Sequence, residues 1–548
     1  MLLGVLWKTL ITFVTASGVK ALPPQSDQSL QVKTGIGTFQ GTSNATSGLE
    51  SWLGIPFAQP PVGKLRFKAP VAITTPFDGI QQATSFGSAC PQPVSGSTTG
   101  VSVDEDCLVL NVFRPKNTAA NAKLPILVWF YGGAYNVGAA SDPSFNPTFL
   151  LNRSVAIGKP IIFVSVNYRV NTFGFLASSH VDPEDLNAGL QDQRLALRFV
   201  QDQLTNFGGD IDKVTIWGQS AGAGSVEAQI LFPAETSLFR AGIADSSTGP
   251  FKSAPFPAQY DEPGKSFSRL LGLVGCPSGP ASIECLRDAP FETVLNATNF
   301  LLNAILNQQV WQPAPGPPDS FVPVRPSERI ASGDFLRVPM LWGTNLNEGT
   351  TFSQSVLGLP KMSVPEENAR FDQFIGALIL DNRTLTQDVL NEIHTLYPAN
   401  DPSLGGRFNT GDSLFDRAEA WYTDNMFLSP RRLFFNKAAP TQKLFAYFFN
   451  EFFPGNNPVL GVFHGSELEL IFGGAPASEQ SLADAFTDAY INFVNDLNPG
   501  SFWPQYNLED KPVLQWMKDN ITTIRDDFLV EKTDFLNSKL VLGEFEKR

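Results

Sequence analysis

Histidine is scarce in this chain of 548 residues: three copies, His180, His394 and His464, leave few places for imidazole chemistry. Basic residues are in deficit as well. Lys and Arg total 39 against 53 Asp and Glu, a formal net charge of -14 with an isoelectric point near 4.8. No basic stripe is present either, which excludes nucleic acid as a partner because phosphate binding needs a positive surface. After the N-terminal segment no uninterrupted apolar run is long enough to span a bilayer, and the last residues are Glu544-Phe-Glu-Lys-Arg548, which argues against stable membrane insertion. No Pro/Ser/Gly linker, charge block or internal repeat divides the sequence. Strand-like runs recur among helical stretches, the pattern of one large α/β domain over residues 22–548.

What is present points to export. Residues 1–21 join an apolar stretch, interrupted by Lys8, to small residues at Ala16 to Gly18 and a cleavage position after Ala21, so a signal peptide and a secreted, extracellular protein are expected. Asn44, Asn152, Asn296, Asn382 and Asn520 each begin an Asn-x-Ser/Thr sequon and are glycosylation candidates. Four cysteines fit two disulfides in an oxidising compartment, with three connectivities open, or four buried thiols. Nothing in the sequence assigns an oligomeric state.

Short apolar, β-prone runs at Leu124 to Tyr131, Pro160 to Tyr168, Val214 to Trp217, Val338 to Trp342 and Leu444 to Phe449 read as strands buried on both faces. Leu190 to Leu204 reads as an amphipathic helix. Gln31 to Ala69 reads as a hairpin or small antiparallel sheet, and the stretches 261–326 and 364–437 as helical additions over the C-terminal edge of a larger sheet.

The chemistry starts at Val214-Thr-Ile-Trp-Gly218-Gln219-Ser220-Ala221-Gly222. Glycines two residues either side of Ser220 allow the sharp strand-to-helix turn that projects a nucleophilic hydroxyl from a sheet edge, an arrangement suited to ester chemistry. Gly-x-Ser-x-Gly also occurs in ordinary loops, so context decides. A serine needs a base to take its proton and return it to the leaving group. His394 falls in a helix pattern and His180 in a surface loop, whereas His464 sits in the glycine-flanked turn Gly461-Val-Phe-His464-Gly465 after a strand. The base needs an acid, and Glu348 follows the strand-like run ending Leu341-Trp-Gly343. The order Ser220, Glu348, His464 is that of an α/β-hydrolase. Backbone N–H groups of Gly132-Gly133-Ala134, after a strand, with that of Ala221, suit an oxyanion hole.

On these motifs the chain resembles the type-B carboxylesterase/lipase family, which includes cholinesterases and Candida-type fungal lipases. Further segments carry the likeness: Leu53-Gly-Ile-Pro-Phe-Ala58, Glu105-Asp-Cys107-Leu-Val-Leu-Asn111, Asn167-Tyr-Arg169, Gly189-Leu-Gln-Asp192 and Asn206-Phe-Gly-Gly-Asp210. The resemblance implies an α/β-hydrolase fold with a large, mostly parallel sheet flanked by helices, a small N-terminal sheet, and helical insertions over the site. It implies a Ser220, Glu348, His464 triad with oxyanion donors Gly133, Ala134 and Ala221, and no metal or cofactor. It also implies disulfides Cys90 to Cys107 and Cys276 to Cys285, ion pairs Arg66 to Glu105 and Arg169 to Asp192, and a Ser225 that supports the triad by hydrogen bonding.

Departures bear on substrate. The family usually has Glu before the nucleophile, whereas Gln219 is neutral, and Pro91 to Asp106 contains no Trp to stack on a quaternary ammonium. That segment, a long apolar lid in the lipase branch, is short and rich in Ser, Thr and Gly. Ala134 replaces the third glycine of the oxyanion loop. The expected function is therefore hydrolysis of neutral carboxylic esters through an acyl-enzyme. The alternatives are a lipase or sterol esterase preferring long acyl chains, and a non-catalytic cholinesterase-like adhesion or binding protein.

Overall fold

A computed structural model describes residues 30–247, 255–379 and 382–545, so the expected signal peptide lies outside the described residues. Fourteen strands form two sheets among these residues. In chain order they are β1 (Gln31–Thr34), β2 (Gly37–Gln40), β3 (Thr42–Asn44), β4 (Leu49–Pro56), β5 (Ile80–Gln82), β6 (Val109–Pro115) and β7 (Leu124–Phe130), then β8 (Ile162–Val166), β9 (Gly209–Gln219), β10 (Ala241–Asp245), β11 (Met340–Asn345), β12 (Leu444–Phe449), β13 (Pro512–Trp516) and β14 (Thr522–Arg525). The small sheet has the order β1-β2-β5; the large one runs β14-β13-β12-β11-β10-β9-β7-β8-β6-β4-β3. Strands β8-β7-β9-β10-β11-β12-β13 are mutually parallel, with antiparallel strands at both edges.

The expected N-terminal sheet is thus smaller than the stretch assigned to it. Only β1 and β2 stay in it, joined by β5, while β3 and β4 extend the large sheet through β6. The apolar periodicity of a strand says which face is buried and not which sheet it joins. Successive residues of β7 feed opposite cores: Ile126, Val128 and Phe130 join one, Leu127 and Trp129 the other, as the period-2 geometry requires. Sequence reading passed over β10, whose Ala241-Gly-Ile-Ala-Asp245 lacks a β-branched run. Small residues are needed there. A Cβ on Gly242 would lie 2.7 Å from the Met340 sulfur and 3.0 Å from Val226, on the helix Ala221–Leu231.

The helical additions pack as expected. Helices Val364–Ala377, Gln387–Leu396 and Ser413–Thr423 share a third core built on Phe371, Ile393 and Trp421. Cys90 is bonded to Cys107 and Cys276 to Cys285. Arg66 clamps both Glu105 oxygens, at 2.6 and 2.7 Å, and also donates to the carbonyls of Leu286, Arg287 and Ala289 at the end of the helix Ser282–Asp288. Buried Arg169 pairs with Asp192 at 2.7 and 2.8 Å. All five sequon asparagines are exposed.

Candidate active site

Strand β9 ends at Gln219 and the next helix begins at Ala221, so Ser220 alone makes the turn, at φ 58° and ψ -125°. A β-carbon at positive φ is strained, and the surroundings hold it there. The Ser220 N–H donates to the Asp245 carbonyl at 2.9 Å and the Ser220 carbonyl accepts from Gly224 at 2.9 Å. Neither flanking glycine could be replaced. A Cβ on Gly218 would strike the Gly222 carbonyl, and one on Gly222 would strike the carbonyl of Phe130 in the neighbouring strand. Sheet and helix therefore meet backbone to backbone under the serine.

The loop that leaves β7 runs through Gly132, Gly133 at φ 110° and Ala134 at φ 54°. A Cβ on Gly132 would lie 2.9 Å from that of Ser220, so the loop lies directly against the elbow. The N–H groups of Gly133, Ala134 and Ala221 have no acceptor among the described residues. Ala221 also heads its helix, whose dipole favours negative charge at that end.

Glu348 follows β11 and is fully buried. Its Oε1 accepts the Asn345 N–H at 2.7 Å, and its Oε2 lies 2.6 Å from His464 Nδ1. The two loops are laced together by side chains that sequence reading did not single out. Asn347 bridges to Phe463; its N–H donates to the Val462 carbonyl and its Oδ1 accepts from Val462 N–H at 3.2 Å. Asn345 Nδ2 donates to the Phe463 carbonyl at 2.9 Å and to Glu467. A pair of amides just ahead of the acid, Asn345 and Asn347, was the available signal. The His464 ring lies edge-on to Phe352 at 5.2 Å and against Phe427 at 4.8 Å. Phe427 sits on the π-helical turn Asp424–Leu428, a distortion often found at functional sites.

Two more buried acids lie close by. Burial pushes Asp245 up to about 7, against hydrogen bonds from Tyr490, Trp217 and Tyr447 that favour its charged form. Burial and the charges of Asp245 and Glu348 hold Glu467 well above the usual carboxylate range. The other histidines are elsewhere: His394 is 2.7 Å from Asp372 on the outer helices, and His180 lies in a turn.

The Carboxylesterase family model matches residues 28–535. The chain belongs to the carboxylesterase family. It is 33% identical to Secreted lipase 1 of Botryotinia fuckeliana (strain B05.10), an alignment covering 86% of each chain. It is 30% identical to para-nitrobenzyl esterase of Bacillus subtilis (strain 168), over 91% of this chain and 97% of that one. Among solved structures, Aspergillus niger EstA aligns with a TM-score of 0.79 at 28% identity, covering 94% of this chain and 99% of that one. The protein is a carboxylic-ester hydrolase with the α/β-hydrolase fold.

Within this carboxylesterase the family-derived expectation for Ser225 needs correction. Its hydroxyl donates to the Ala221 carbonyl at 2.9 Å and accepts from Gln193, and no hydrogen bond runs from it to Glu348 or His464. Back-bonding to the residue four earlier is what a helical serine does, so Ser225 braces the elbow helix instead of the triad. Gln219 lies nearer the chemistry: its Nε2 is 3.1 Å from His464 Nε2. Among the described residues no helix is long and apolar enough to cross a membrane.

Proposed function

We propose that this carboxylesterase hydrolyses neutral esters through an acyl-enzyme, with Ser220 as nucleophile, His464 as base and Glu348 as its acid. The observation that carries the reading is the 2.6 Å contact of His464 Nδ1 with buried Glu348, beside a serine held on a strained turn. Glu348 fixes the ring proton on Nδ1, leaving the Nε2 lone pair to receive the Ser220 proton as Oγ bonds to the ester carbon. The N–H groups of Gly133, Ala134 and Ala221 take the negative charge that forms on the carbonyl oxygen. His464 passes its proton to the departing alkoxide, then deprotonates the water that releases the acid and frees Ser220.

Neutral esters are favoured because Gln219 brings no charge to the base of the site and the Cys90 to Cys107 segment has no aromatic indole to hold a cation. A second reading, a lipase preferring long acyl chains, is supported by the name of the Botryotinia relative. The short polar Pro91 to Asp106 segment speaks against interfacial activation. An ester panel varying acyl and alcohol parts separately, with and without a lipid–water interface, tests the choice. Short and medium neutral esters turned over without an interface support the first reading; strong preference for long chains at an interface replaces it. Export with loss of residues 1–21, and glycosylation at the exposed sequons, complete the proposal; the N-terminal sequence and mass of the secreted chain check both.

A further inference from the structure

Gln219 does more than leave the elbow neutral. Its buried side chain lies between the oxyanion loop and the base: a Cβ on Gly132 would be 3.0 Å from its Oε1, and one on Gly465 3.3 Å from its Nε2. Two glycines thus leave room for the amide beside His464, with Nε2 facing Nε2 at 3.1 Å. Because Nδ1 faces the Glu348 carboxylate, the ring proton belongs there, and the Nε2 lone pair needs a donor. Of the two ends of the amide only the NH2 can supply one, which fixes its orientation by its partner. The Ser220 hydroxyl, meanwhile, makes no hydrogen bond among the described residues.

We infer that Gln219 is a positioning residue that caps His464 Nε2 between turnovers, holds the ring in its neutral, proton-accepting form, and yields Nε2 to the Ser220 hydroxyl when an ester enters. The inference rests on the triad reading above. On attack, the hydrogen bond from Gln219 to Nε2 is exchanged for one from Ser220. The Ser220 proton moves to Nε2 as the Oγ–carbon bond forms, and the imidazolium then gives that proton to the departing alkoxide. Gln219 itself neither gains nor loses a proton. An amide NH2 facing Nε2 opposes a protonated ring, whereas a carboxylate at 219 would accept from Nε2–H and hold the ring charged. The choice of Gln or Glu before the nucleophile therefore sets the lower pH limit of turnover, besides setting whether a charge is present to favour a cation. Glu348 faces the ring at Nδ1, its charge acts in turn on the buried carboxyls of Asp245 and Glu467, and Phe352 and Phe427 add no charge.

With three histidines in the chain, the His464 ring can be followed directly. Histidine is labelled with 13C at Cε1, the signal is assigned with His464→Gln, and its titration is recorded for the wild type, Gln219→Glu and Gln219→Met, beside the pH profile of kcat/KM. In Gln219→Glu the ring midpoint and the acid limb both move up by about one pH unit or more, as an opposite charge at hydrogen-bond distance requires. In Gln219→Met, which removes the donor without adding charge, both move up by less. Coincident titrations in all three proteins overturn the inference, as does a change confined to melting temperature, the mark of a packing role. The ring titration needs no turnover. An inactive wild type, or one unlabelled at Ser220 by a fluorophosphonate, therefore sinks the triad reading, while the ring shifts still decide whether Gln219 controls the protonation of His464.

Discussion

Ser220 is held by backbone and Glu348 and His464 are held by side chains, and the two regions answer to different rules. Under the serine, β9, β7 and the following helix approach so closely that Gly218 and Gly222 meet neighbouring carbonyls with no room for a methyl group. Around the acid and base the contacts are amide to carbonyl and carboxylate to imidazole, made by Asn345, Asn347, Glu467 and the rings of Phe352 and Phe427. A backbone-built part tolerates no substitution at its glycines, and it sets the nucleophile in place through main-chain contacts. A part built from side chains can lose one contact and keep its fold, at the cost of a misplaced base.

The largest expected effect is at the reacting groups. Ser220→Ala or His464→Ala should lower kcat by about 10⁴-fold to 10⁶-fold, with circular dichroism and melting temperature close to wild type. Glu348→Gln comes next, at about 10³-fold to 10⁴-fold, because the amide can hold the ring but stabilises neither its tautomer nor its charge. Equal activity in that variant would remove Glu348 from the triad.

Two substitutions of similar size then set the regions apart. Gly222→Ala, on the backbone side, should cost several kcal/mol and lose soluble protein and activity together. Asn347→Ala, on the side-chain side, should stay folded and lose about tenfold to a hundredfold in kcat. A well-folded, active Gly222→Ala would break the contrast.

The last effect is electrostatic and bears on stability alone. Asn347 also donates to Glu419, whose carboxyl burial pushes up to about 8 from its ordinary value of 4.5. A raised value means the folded chain holds this proton more tightly than the unfolded one. The stability it contributes is complete below about 4.5 and is lost as pH rises through about 8. Glu419→Gln should flatten the dependence of melting temperature on pH across that window and leave the variant more stable than wild type at its upper end; parallel curves would contradict it.

The same contrast explains what could be read from the sequence. The turn at Ser220 and the Gly132-Gly133 loop beside it are legible because close backbone approach admits only glycine, and glycine spacing is visible in one dimension. His464 stood out because two other histidines were its only competitors. Glu348 had no such signature among 53 acidic residues, and was placed by chain order and family likeness. Asn345, Asn347 and Phe427 escaped because their roles depend on loops that meet only after the sheet has formed. Strand β10 escaped for a related reason, since its small residues serve the helix packed on it more than its own propensity. Ser225 departs from the family expectation because its hydroxyl is taken up by the Ala221 carbonyl on its own helix and by Gln193.

The most direct measurement is active-site titration with a fluorophosphonate, followed by peptide mapping of the labelled chain. One equivalent on Ser220 in the wild type, none in folded Ser220→Ala, and labelling slowed by orders of magnitude in His464→Ala is the expected result. A folded, ester-hydrolysing wild type that is labelled at another residue, or not at all, would contradict the account at its centre.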